Sequence, residues 1–101
     1  MARKNRRPLA FEVLRNGRRL CNAGVEGGDG VLTTILTWVG GPRRVNEAHF
    51  RVGGLDSRDS MHLAWAHGSL RAGDEIVVRV REGGRLDPPK KRYRIEGKGG
   101  G

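Results

Sequence analysis

Residues 31–39 decide which folds are open to this chain, because an uncharged, largely apolar run is fenced there by glycine-rich breakers on both sides. Gly27-Gly28-Asp29-Gly30 leads in and Gly40-Gly41-Pro42 leads out. Thr33, Thr34, Ile35, Thr37 and the valines are β-branched and favour a strand by propensity. Spacing points the other way. Val31, Leu32, Ile35, Leu36 and Val39 recur at the interval of one helical face, whereas the two faces of a strand would read Val-Thr-Ile-Thr-Val and Leu-Thr-Leu-Trp. Asp29 is a competent N-cap, and Gly40-Gly41-Pro42 supplies a positive-φ stop followed by a breaker. Start, stripe and stop together predict a short helix at about 30–39. If the segment is a strand instead, the chain becomes an all-β barrel or sandwich.

The flanking segments read as strands. Leu9, Phe11 and Val13 alternate with more polar neighbours, and Asn16-Gly17 then separates them from a second run. Asn-Gly suits a type I′ turn, which needs positive φ at both central residues, so a hairpin is predicted with strands at about 9–15 and 18–24. Phe50 and Val52 alternate with His49 and Arg51, Leu63 and Trp65 with His62 and Ala64, and Ile76, Val78 and Val80 with Val77, Arg79 and Arg81. Leu70-Arg71-Ala72-Gly73-Asp74 reads as a tight turn into the last of these, with Leu70 under the sheet. Asp87-Pro88-Pro89 closes the domain, since proline cannot donate to a ladder. Arg92 to Ile95 can add a short edge strand.

Among 101 residues there is room for one core. The chain divides into a basic N-terminal arm at 1–8, a globular domain at 9–89 and a basic, glycine-rich tail at 90–101. Hairpin, helix and three strands in that order predict an α+β, β-grasp-like mixed sheet of four to five strands crossed by one helix, with fold-level similarity to ubiquitin-like domains. The set Gly30-Val31-Leu32, Trp38-Val39, Val52-Gly53-Gly54-Leu55-Asp56, Gly73-Asp74-Glu75-Ile76, Val78-Arg79-Val80 and Asp87-Pro88-Pro89 resembles a group of short bacterial proteins of uncharacterised function over about residues 9–89. That resemblance brings no activity or site with it.

Charge is concentrated at the two ends. The formal net charge is +9. Arg3, Lys4, Arg6 and Arg7 stand at the start with no acid among them, and Lys90, Lys91, Arg92, Arg94 and Lys98 stand against Glu96 alone at the end, while the body is close to neutral. Attraction to an anionic partner therefore belongs mainly to these ends. Tyr93 lies inside Lys90-Lys91-Arg92-Tyr93-Arg94, where it can stack on a base.

Chemistry-bearing clusters are sparse. Cys21 is the single cysteine, which rules out an intrachain disulfide and reads as a small buried hydrophobe. The glycines before residue 31 lack the Gly-Lys-Ser/Thr ending of a phosphate loop, and Glu26 and Asp29 would repel a phosphate. His49, His62 and His67 show no metal-ligand spacing. Asp56-Ser57-Arg58-Asp59-Ser60 is short of calcium ligands and reads as a self-capped loop. No nucleophile stands with a base in any recognisable motif, so the chain is expected to be non-enzymatic and to need no cofactor. Glu12 and Arg15 break the one short apolar stretch that follows a basic start, and no run approaches the roughly 18 residues of a membrane span. A cytoplasmic, monomeric or weakly associating protein with no membrane contact is expected.

Three functions follow as expectations. The first is a binding domain that engages a protein partner through a sheet face, with Arg79 and Arg81 outward on the final body strand. The second is nucleic-acid binding through the basic ends. The third is a ubiquitin-like modifier acting through Gly100 and Gly101, whose lack of side chains suits a terminus that must thread a narrow channel.

Overall fold

The computed structural model describes residues 8–95, which form seven strands in two antiparallel sheets. The strands are β1 Leu9–Arg15, β2 Arg18–Ala23, β3 Gly30–Gly41, β4 Arg44–Asp56, β5 Met61–Leu70, β6 Ile76–Glu82 and β7 Lys91–Arg94. One sheet has the order β2-β1-β6 and the other β3-β4-β5-β7. Among the described residues there is no helix, so none is long and apolar enough to cross a membrane.

The first hairpin forms where Asn-Gly places it, with Asn16 at φ 49° and Gly17 at φ 83°. Gly73 takes φ 95° in the turn before β6, and Leu70 packs against the core. Lys91–Arg94 pairs with β5, which carries the fold beyond residue 89.

The α+β, β-grasp-like expectation is overturned at 30–39, because this segment is strand β3, paired with β4 from Gly30↔Asp56 to Gly41↔Arg44. β-branched propensity prevails over the helical stripe there. Both faces of β3 carry apolar residues, so a period of two also produces the spacing of a helical face. The glycine-proline stop proves to be the hairpin turn into β4, and the twelve-residue strand makes a long ladder with β4 along one of its edges.

The core lies between the sheets. Val13, Cys21 and Ala23 from one face Phe50, Val52, Leu63 and Trp65 from the other, with Val25 at the margin. Within the four-stranded sheet Gly54 permits the close approach of β3 to β4, since a Cβ there would lie 2.5 Å from the Val31 carbonyl oxygen and 3.5 Å from the Trp65 ring. The two flanks of this stack differ. On one, β2 lies against β5 and residues 85–90 bridge the sheets: Asp87 N–H donates to Asn22 O (2.9 Å), Trp65 Nε1 donates to Asp87 O (2.8 Å) and Lys90 N–H donates to Ala64 O (2.8 Å). On the other, Val78 and Val80 of β6 and Leu36 and Trp38 of β3 stay exposed, although their cross-strand partners Val13, Phe11, Phe50 and Ala48 lie on the core-facing side.

Candidate functional site

The outer face of the four-stranded sheet brings His49, His62 and His67 together with Arg51, Lys91 and Tyr93. Cross-strand partners share a face. On that rule Val31, Thr33, Ile35 and Thr37 of β3 stand beside Leu55, Gly53, Arg51 and His49 of β4. Leu55, Gly53, Arg51 and His49 are matched in turn by His62, Ala64, His67 and Ser69 of β5, and β7 adds Tyr93 beside His62 and Lys91 beside Ala64.

An irregularity in β5 makes this face possible. His62 and His67 are five residues apart, which in a regular strand sends them to opposite sides. The register shifts so that Val52 pairs with Ala66 and Gly53 with Ala64, leaving Trp65 without an opposite number. Trp65 keeps to the side of Leu63, in the core and 2% exposed, and the bulge returns His67 to the side of His62.

His62 and Tyr93 stack with ring centroids 5.2 Å apart and planes inclined by 28°. Small residues beside them, Gly53, Ala64 and Thr33, lower the floor into an open depression of about 710 Å³, with Ile35, Arg51, His67 and Lys91 around it. A second depression of about 750 Å³ runs on past His49 and Ser69 and shares Ile35, Arg51 and His67 with the first. The result is a continuous shallow path across the sheet, with the stacked rings and Lys91 toward one end and Arg51 where the two depressions meet.

The residues singled out from the sequence are split by this arrangement. Lys91 and Tyr93 lie on the path, whereas Arg92 and Arg94 alternate to the other side with Leu63 and Met61. Lys90 is exposed just before β7. Arg79 and Arg81 do face outward, but on the other sheet, where Glu12 engages them: Arg81 Nη2 lies 2.8 Å and Arg79 Nη1 3.4 Å from Glu12 Oε1, and Arg19 Nε approaches Oε2 at 3.6 Å. The Arg81 hydrogen bond, aided by Arg79, holds the Glu12 carboxyl below its usual range. Arg3, Lys4, Arg6, Arg7, Gly100 and Gly101 lie outside the described residues. Arg51 and the three histidines are the contributors that sequence reading did not join to Tyr93, because their common face depends on the bulge and on strand order.

Other chemistry is weaker. Cys21 is buried, and burial followed by the nearby Asp87 carboxylate pushes its thiol up, away from the reactive thiolate. Among the described residues no group of three or more His, Cys, Asp or Glu side chains is placed to hold a metal ion. Comparison of the chain with protein-family models, curated proteins and solved structures finds no match.

Proposed function

We propose that this protein binds single-stranded nucleic acid on the outer face of its four-stranded sheet. The observation that carries the reading is the His62–Tyr93 stack beside Arg51, His67 and Lys91. An aromatic pair on an open sheet offers a platform for any base, because every base has a π-face, and flanking cations neutralise the phosphates between bases. The shallow path suits unpaired bases that splay and stack, which duplex nucleic acid does not present. A sequence pI of about 11.2 and the basic residues at both ends add long-range attraction.

The other readings have less behind them. A protein partner held through Arg79 and Arg81 would have to draw both guanidiniums from Glu12. The modifier reading leaned on a β-grasp body, and that support is gone.

Fluorescence anisotropy of labelled single-stranded DNA and RNA homopolymers with nuclease-treated full-length protein tests the proposal. Binding at low salt that weakens with added salt, and weakens further in Tyr93→Ala and Arg51→Ala, is expected. Absence of binding at low salt would sink the reading. Binding that ignores both substitutions but disappears when residues 1–7 and 96–101 are removed would move the activity from the sheet to the tails.

A further inference from the structure

Four strands border the two sheets: β2 and β6 in one, β3 and β7 in the other. Three of them are guarded against pairing with another chain. In β2, Asn22 N–H donates to the Asp87 carboxylate at 2.8 Å and Asn22 O accepts from Asp87 N–H at 2.9 Å, so the bridging segment occupies that edge. β6 carries Arg79, Arg81 and Glu82, and β7 is four residues long with Lys91, Arg92 and Arg94 among them. Charge, brevity and covering are the usual devices that blunt an edge.

Among the described residues β3 has none of them. It runs for twelve residues without a charge, in a chain of which 31% is charged. Val31, Ile35, Leu36 and Trp38 are 50%, 48%, 60% and 68% exposed, on both faces of the strand. On the outer face it is also a palindrome: residues 31, 33, 35, 37 and 39 read Val-Thr-Ile-Thr-Val, symmetric about Ile35. In an isologous contact residue i meets j and j meets i, so a twofold axis at Ile35 sets valine against valine, threonine against threonine and isoleucine against isoleucine on this face.

We propose that β3 pairs with β3 of a second copy of this chain, antiparallel and centred on Ile35, joining two four-stranded sheets into one of eight strands. Ile35 then lies opposite Ile35 of the second copy, Thr33 opposite Thr37 and Val31 opposite Val39. On the core-facing side Leu32 meets Trp38 and Thr34 meets Leu36. The β-branched matches are those that pack well across antiparallel strands, and no like charges are brought together. Nine paired residues span about 30 Å. The contact covers the open backbone edge of β3 and the flanks of its side chains along that span.

Sedimentation equilibrium of nuclease-treated full-length protein, with no nucleic acid present, tests this independently of the binding reading. The wild type is expected to be dimeric and Ile35→Lys monomeric with an unchanged far-ultraviolet circular dichroism spectrum, while Val78→Lys on β6 remains dimeric. Cysteine pairs test the register without relying on Ile35→Lys folding: oxidation of a mixture of Thr33→Cys and Thr37→Cys proteins is expected to give a covalent dimer, and Thr33→Cys alone is not. A monomeric wild type up to its solubility limit, a dimer that survives Ile35→Lys, or crosslinking of Thr33→Cys alone as efficient as that of the mixture would overturn the proposal.

Discussion

The indole N–H of Trp65 donates to the backbone carbonyl of Asp87 at 2.8 Å, so the residue left unpaired at the β5 bulge also fastens the segment closing one flank of the two sheets. Trp65→Phe keeps most of the buried ring but removes this donor inside a largely dry site. A loss of about 1–2 kcal/mol is expected. Urea denaturation checks it, with the midpoint falling and the slope unchanged if the two-sheet stack persists.

Asp74 ties two turns together, and acid is expected to loosen them. Its carboxylate accepts from Arg71 N–H at 2.8 Å, Asn16 Nδ2 at 3.1 Å and Arg15 Nη2 at 3.2 Å. The backbone bond from Arg71, then the bond from Asn16, holds the carboxyl below its usual range. A depressed folded-state pKa contributes stability that is fully present above the unfolded value of about 3.9 and is lost as pH falls through the folded value. Thermal melts of wild type and Asp74→Asn across pH are expected to differ most at neutral pH and to converge in acid. A difference that grows toward acid would reverse the sign.

Gly54→Ala puts a Cβ 2.5 Å from the Val31 carbonyl oxygen, a backbone atom that cannot swing aside as a side chain tip can. Either β3 shifts from β4 or the pair separates locally. Destabilisation of about 1–3 kcal/mol is expected, as for overpacking elsewhere, and chemical denaturation measures it. By contrast Gly84→Ala meets nothing within 4 Å, so its cost is confined to the strain of φ 86°.

What the sequence disclosed and what it withheld divide along a physical line. Asn16-Gly17 declares its hairpin because the turn's φ values are a local demand, and Val78 and Val80 declare a strand because their alternation is local too. Residues 31–39 mislead because a strand with apolar residues on both faces carries no alternation of polarity, and its spacing then falls on a helical stripe by coincidence. Only the ladder to β4, spread over residues up to 56, resolves the conflict. The stacked pair shows the same limit. Tyr93 was legible as an aromatic among cations, but its neighbour His62 is 31 positions earlier, and His67 reaches the same face only through the bulge at Trp65.

Arg51 and Tyr93 occupy the same sheet face, yet their removal is expected to leave different signatures on nucleic-acid binding. Arg51 acts by charge, so Arg51→Ala should lower affinity mainly at low salt and reduce the slope of log K against log salt by about 0.7, the contribution of one phosphate contact to a single strand. Tyr93 acts by stacking, so Tyr93→Ala should cost about 1–3 kcal/mol, roughly 5- to 150-fold in affinity, with little change in slope. Tyr93→Phe keeps the ring and is expected to restore most of that loss. Titrations at several salt concentrations separate the cases. If Tyr93→Ala changes the slope while Tyr93→Phe fails to rescue, the ring is not a stacking surface and the hydroxyl or the local placement of Lys91 carries the effect.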